Sequence, residues 1–161
     1  MSLSPLEQAD KYLFRKLYLD PTIIKMIFVT MSVEEVDAWF EKVYQNKKND
    51  YCFYKITAAN SVSVFGLIGL IKRREDVVEY GIMLGEKFRQ KGIGLTATRL
   101  LLEEVYRNGQ SCHIIGRCIP ENKAMIRVFS KCNFKQVSPA AYQEVEGTNP
   151  NLTFRKRVTL Y

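Results

Sequence analysis

One stretch constrains this chain more than any other. Residues 79–94 read EYGIMLGEKFRQKGIG, and an apolar-patterned run follows as far as Tyr106. Tyr80, Ile82 and Leu84 alternate with smaller or polar neighbours, the period of a strand. Leu95, Leu102 and Tyr106, with Ala97, Leu101 and Val105, recur at helical spacing. Asn108 and Gly109 stop that helix, because both tolerate positive φ. The pattern is therefore a strand, a short basic loop with two glycines, and a helix beginning at the second glycine. The N–H groups of a helix's first turn have no helical partner. The absent side chains of Gly92 and Gly94 bare more of the loop backbone beside them. Such a spot attracts anions, and phosphate fits it best. Arg89 and Lys91 add positive charge next to it.

Two glycine-loop chemistries share this pattern. Residues 92–97, GIGLTA, fit the dinucleotide fingerprint G-x-G-x-x-A. That fingerprint wants its first glycine directly after the strand, and an acid at the end of the next strand for the ribose. Here residues 85–91 intervene, and the next strand-like run ends in Arg117 and Cys118. The other pattern is Arg/Gln-x-x-Gly-x-Gly/Ala, filled by Arg89, Gly92 and Gly94. Between a strand and a helix, this resembles the acyl-CoA pyrophosphate loop of the GNAT N-acetyltransferase superfamily. The plainer alternative is a strand–turn–helix whose glycines only make the turn.

The rest of the chain supports the resemblance. Ser4-Pro5-Leu6-Glu7 reads as a capping box with proline at the first helical position, which predicts a helix from there to about Leu19. Asp20-Pro21 restarts a short helix bearing Ile23, Ile24, Ile27 and Phe28. Ser32-Val33-Glu34-Glu35 is a second capping box, and Val36, Trp39, Phe40, Val43 and Tyr44 form its helix's core face. Residues 51–57, 62–71 and 77–84 predict a three-strand antiparallel meander, with turns at 59–61 and 72–76. Gly66 and Gly69 suggest bulges or the close approach of something flat. A helix over 95–107 crosses to a strand at 112–118. A helix at 122–132 and strands at 134–137 and 152–160 complete the chain, with an irregular polar segment at 139–150. A weak strand at 1–3 precedes everything.

This order predicts an α/β (α+β) fold with a mixed, mostly antiparallel sheet flanked by helices. The sheet turns parallel where helix 95–107 makes a right-handed crossover. It matches the GNAT acyl-CoA N-acyltransferase fold over nearly the whole chain, read as one domain, 1–161. The helix 32–40 pattern resembles the branch that acetylates ribosomal-protein N-termini.

The resemblance implies roles for particular residues. Ile82, Met83 and Leu84 supply main-chain hydrogen bonds to pantetheine, and one amide there polarises the thioester carbonyl as an oxyanion hole. Arg89, Gln90, Lys91, Gly92, Ile93 and Gly94 hold the diphosphate, each charge-assisted bond contributing roughly 1.5–3 kcal/mol. Residues 122–134 resemble the family segment N-x-x-(A)-x-x-x-Y-x-K-x-G-F. By that match Asn122 bonds the cofactor arm or an ordered water, and Lys131 sits near a CoA phosphate. Two positions depart from it. Phe129 replaces the tyrosine that protonates the departing thiolate, and Asn133 replaces a glycine. The plain reading of Asn122 is a helix cap. Glu79 is the expected base, acting on the acceptor ammonium through water; its plain reading is an ordinary strand carboxylate. His113, the lone histidine, reads as a core or edge residue.

Composition narrows the surroundings. At 161 residues the chain is one domain of ordinary size. Its net charge of +7 is scattered in short groups with no run of five bases. That suits an anionic ligand such as acetyl-CoA and makes nucleic acid an unlikely partner. Cys52, Cys112, Cys118 and Cys132 form no C-x-x-C pair, so no metal is expected, and the cysteines read as small buried hydrophobes. The lack of a signal-peptide pattern and the short apolar run at 62–71 point to a cytoplasmic protein with no membrane partner. The expected activity is acetyl transfer to a primary amine, a protein N-terminus or a small amine, by a monomer or homodimer. Three alternatives stay open: a polyamine or antibiotic amine acetyltransferase, a non-catalytic acyl-CoA-binding or regulatory domain, and a nucleic-acid-binding module.

Overall fold

The computed structural model describes residues 1–27, 29–47, 50–59, 63–109, 112–138 and 152–158. Phe28, residues 60–62, the 139–150 segment and Leu160 from the sequence reading lie outside that set.

Strand β1 (Ser2–Pro5) leads through a 3-10 turn to α1 (Lys11–Tyr18), α2 (Pro21–Ile27) and α3 (Val33–Gln45). A meander follows: β2 (Tyr51–Thr57), β3 (Val64–Lys72) and β4 (Val77–Leu84). Then come α4 (Ile93–Arg107), β5 (Cys112–Cys118), α5 (Lys123–Lys131), β6 (Lys135–Val137) and β7 (Leu152–Val158). The strands form one sheet in the order β1-β2-β3-β4-β5-β7-β6. Every pairing is antiparallel except β4 with β5, which α4 joins by its crossover. This is the mixed, mostly antiparallel sheet that the sequence predicts.

The start of the chain corrects the sequence reading. Ser4 and Pro5 do not open a helix; they pair with Lys55 and Tyr54 of β2. The edge of β2 offers backbone partners to this segment, and proline is tolerated on an edge strand. The capping box forms later, where the Glu7 N–H donates to Asp10 Oδ2 at 2.7 Å. The second capping box forms as read. Glu35 N–H donates to Ser32 Oγ at 3.2 Å, and Ser32 N–H to Glu35 Oε2 at 2.7 Å.

Strand alternation divides the core into two layers. Even-numbered residues of β2 to β5 (Ile56, Ile68, Tyr80, Ile114) face α4 and α5. Odd-numbered Phe53, Leu67 and Met83 face α1 to α3, where Phe14 and Phe40 meet edge-on with centroids 5.1 Å apart. Burying such a ring stabilises the fold by about 1.5–3 kcal/mol. In β7, Phe154 joins the first layer, but Lys156 sits in the same alternation. Its ammonium donates to the Cys132 carbonyl at the end of α5, 2.9 Å away, and so satisfies a helix C-terminus. Cys118 and Cys132 are buried and Cys52 and Cys112 half-buried, all with free thiols.

Candidate functional site

The sheet opens at its one parallel junction. Pairing of β4 with β5 runs from Val77↔His113 to Tyr80↔Gly116 and stops there. Strand β4 continues alongside β3 to Leu84, opposite Gly66. Residues 81–84 therefore border a fork on the β5 side. Within that edge, polarity alternates. Gly85 N–H donates to Phe65 O at 3.0 Å, and His113 N–H donates to Asp76 O at 2.7 Å. Odd-numbered residues of β4 thus turn their peptide groups to β3, and even-numbered ones to the fork. By that alternation the Met83 peptide groups join the β3 ladder opposite Leu67, and the edge exposes those of Ile82 and Leu84. The Leu84 carbonyl already accepts from Arg89 Nε at 2.9 Å.

The loop after β4 winds through a 3-10 turn (Glu86–Phe88) and two left-handed residues, Gln90 at φ 59° and Gly92 at φ 77°. Gly92 is the N-cap of α4, one residue earlier than the sequence suggests. A non-glycine residue pays for φ > 0, so glycine fits there. The first helical bond is Thr96 N–H to Gly92 O, at 3.1 Å. The N–H groups of Ile93, Gly94 and Leu95 thus precede the first donor of the helix. A Cβ placed on Gly92 would meet nothing within 4 Å. One on Gly94 would touch Leu84, Ile82 and Val128 at 3.7–4.0 Å. The unpaired first turn of α4 and the free edge of β4 therefore adjoin, and together they present backbone donors of the kind that suit an anion. Tyr80, the last paired residue of β4, fastens them from below. Its hydroxyl shares a 2.7 Å hydrogen bond with Thr98, which donates to Gly94 O at 2.7 Å. Burial pushes the Tyr80 phenol far up, so it stays protonated.

The remaining sequence candidates separate. Lys91 is exposed on the loop and Lys131 on α5. Arg89 turns its guanidinium away from the loop's open side, donating to Thr22 Oγ1 at 2.8 Å, with Asp20 at 3.9 Å. Its charge braces α2 against the loop. Asn122 caps α5, its Oδ1 accepting from Met125 N–H at 3.1 Å. Phe129 lies beneath the fork but is 1% exposed, stacked on Phe154 at 4.7 Å. A Cβ on Gly116 would come within 2.4 Å of that ring. Phe129 is thus a core residue at this position, because β5 passes directly over it.

Glu79 sits two residues short of the fork's open part, with both carboxylate oxygens engaged. Arg117 donates to Oε1 at 2.7 and 3.0 Å, and Arg73 to Oε2 at 2.7 Å. This triad was not visible in local patterns, since Arg73 and Arg117 lie in a turn and a neighbouring strand. Parity of the strand register could have suggested Arg117. Gly81, on the same face as Glu79, is exposed, and a Cβ there would meet nothing within 4 Å. The fork is therefore open at Gly81, on the face away from α4 and α5. Among the described residues, no group of His, Cys, Asp and Glu could hold a metal, and no helix is long and apolar enough to cross a membrane.

Known proteins share this fold. Residues 1–135 match the family model described as an acetyltransferase (GNAT) domain. A domain from Methanocaldococcus jannaschii superposes with a TM-score of 0.79 at 16% identity, over 98% of this chain and 97% of that one. Spermidine N-acetyltransferase from Vibrio cholerae, solved with CoA and spermine, gives 0.78 at 17% identity, covering 98% and 94%. An acetyl transferase from Salmonella typhimurium that modifies the N-terminal serine of a 50S ribosomal subunit protein gives 0.77 at 16%, covering 98% and 94%. Likeness at such identities is likeness of fold. No curated protein sequence is a significant match.

Proposed function

This chain belongs to the GNAT acetyltransferase family, and from that premise we propose that it moves the acetyl group of acetyl-CoA to a primary amine by direct attack. One observation carries the reading: the β4–β5 fork opens beside the unpaired first turn of α4. Acetyl-CoA supplies an activated acyl carbon. The Ile93, Gly94 and Leu95 amides take the diphosphate, with Lys91, exposed on the same loop, as the adjacent cation. The Ile82 N–H, the first past the fork, takes up negative charge on the thioester oxygen. The amine enters by Gly81, forms the C–N bond and loses a proton as the C–S bond breaks. Free cysteines with raised or unassisted thiols and no histidine partner favour direct attack over an acyl-enzyme.

Both relatives with stated acceptors, a polyamine and a protein N-terminus, use primary amines, which supports the amine class without choosing within it. The test is calorimetric acetyl-CoA binding together with thiol release across an amine panel. Binding and release are expected for the native chain. Gly94→Asp should abolish both, because a carboxylate beside Leu84 and Ile82 fills the groove and repels the diphosphate. Retained affinity in that variant would refute the loop assignment.

One observation favours a second reading. Phe129 offers no proton to a departing thiolate and is buried. A non-catalytic acyl-CoA-binding domain would bind the cofactor and release no thiol with any amine.

A further inference from the structure

Two glycines lie side by side on the face of the sheet away from α4 and α5. Phe53, Gly69 and Gly81 form one row across β2, β3 and β4, and residues in such a row share a face. A Cβ on Gly69 would come within 2.7 Å of the Phe53 ring, so that ring lies over Gly69 and fills its place. No described residue fills the place at Gly81. It is exposed, and a Cβ there would meet nothing within 4 Å. Its φ is not positive, so the backbone does not call for glycine either. An interior glycine weakens a strand, and one without a packing reason commonly marks the close approach of a ligand.

The rows on either side give this slot its chemistry. Tyr51, Ile71 and Glu79 form one; Lys55, Leu67 and Met83 form the other. Four residues of strand rise set Glu79 and Met83 about 13 Å apart, with Gly81 between them, which leaves room for a flat ring. Phe53 and Met83 are half-buried against the apolar layer of α1 to α3. Trp39 meets Phe53 nearly edge-on, with centroids 6.3 Å apart. Its Nε1–H donates to the Tyr18 hydroxyl at 2.9 Å, which holds both rings in place. The slot's neighbour on the β3 side is therefore a braced aromatic ring. Glu79 is the one carboxylate in these rows, and each of its oxygens accepts from an arginine. The slot thus offers an aromatic ring and a thioether, and no spare anion for a second ammonium.

We infer that this slot holds a flat apolar ring carried by the acceptor a short way from its primary amine, with Gly81 as the specificity-determining residue. The inference rests on the acetyl-transfer reading, in which the amine enters by Gly81. A ring laid there lies between Phe53 and Met83, and both aromatic and sulfur groups favour contact with a ring. A polyamine has no such group to place.

The experiment measures thiol release at saturating acetyl-CoA with two matched pairs of acceptors and with spermidine. One pair is 2-phenylethylamine and ethylamine; the other is the peptides Phe-Ala-Ala and Gly-Ala-Ala. In at least one pair the ring-bearing member should show a kcat/KM about tenfold or more above its counterpart and above spermidine, the scale an apolar group gains in a matching pocket. The pair with the larger ratio tells whether the ring arrives on a small amine or on a peptide terminus. The ratio should persist as salt rises, since no charge carries it. Gly81→Val puts a branched side chain into the slot from a strand position that suits it, so it should erase the ratio without lowering the melting temperature. Phe53→Leu should narrow the ratio. No ring advantage in either pair, or fastest turnover of spermidine, overturns the inference and leaves acetyl transfer standing. A ratio unmoved by Gly81→Val overturns it equally. Thiol release with no acceptor at all, while acetyl-CoA still binds, overturns both readings together.

Discussion

Two residues show how closely this site is tied to packing. Gly116 ends the pairing of β5 with β4 and lies against Phe129. Gly116→Ala must displace a ring that Phe134 and Phe154 hold at 5.1 and 4.7 Å. It should cost about 1–3 kcal/mol, the scale of overpacking a tight core. Denaturant midpoints would show this, and Phe129→Leu in the same chain should recover part of the loss. Glu79 presents the opposite case, a residue with two candidate roles. If it accepts the acceptor's proton, Glu79→Gln should lower the rate most near neutral pH. If it only anchors Arg73 and Arg117, the same change should lower the unfolding midpoint and leave the shape of the pH–rate profile as it was. The two arginines occupying its oxygens favour the anchor.

Among the elements, the loop between β4 and α4 bears on two partners at once. Its open side presents the first-turn amides of α4. Its closed side sends Arg89 to Leu84 O and to Thr22 on α2. Asp20 stands near the same guanidinium, its acidity increased chiefly by the Thr22 hydroxyl. Arg89→Ala removes the brace but no first-turn amide. Acetyl-CoA affinity should fall modestly, while hydrogen exchange in α2 rises; exchange unchanged in α2 would deny the coupling. Helix α2 borders the apolar layer under β2 and β4, so a looser α2 should reach the acceptor side before the cofactor side.

At the level of the molecule, binding should register as stability. A ligand that binds the folded chain alone stabilises it by about 2.7 kcal/mol at a hundredfold excess over Kd. Saturating CoA should therefore raise the melting temperature of the native chain, and Gly94→Asp should melt at one temperature with or without it. A shift retained in that variant would place the cofactor elsewhere.

The order of elements and the loop of the site were legible because each rests on a local pattern. Period-2 and period-3.6 apolar spacing, the Ser32 box and the Arg89–Gly94 spacing are properties of neighbours in sequence. Those set out the meander, the crossover and the glycine turn before α4. Ser4 and Pro5 misled because a capping box competes with a sheet edge that lies some fifty residues away in sequence, and the edge of β2 won. Contacts outside any local pattern likewise hid the Glu79 triad, the Arg89 brace, the burial of Phe129 and the pairing of Arg155 with Lys135. Each joins residues that only the folded chain brings side by side. Local spacing determined which segments become strands and helices and where the two glycines of the β4–α4 loop fall. The tertiary structure alone decided where the parallel pair parts and which amides remain free there, because both depend on strands far apart in sequence.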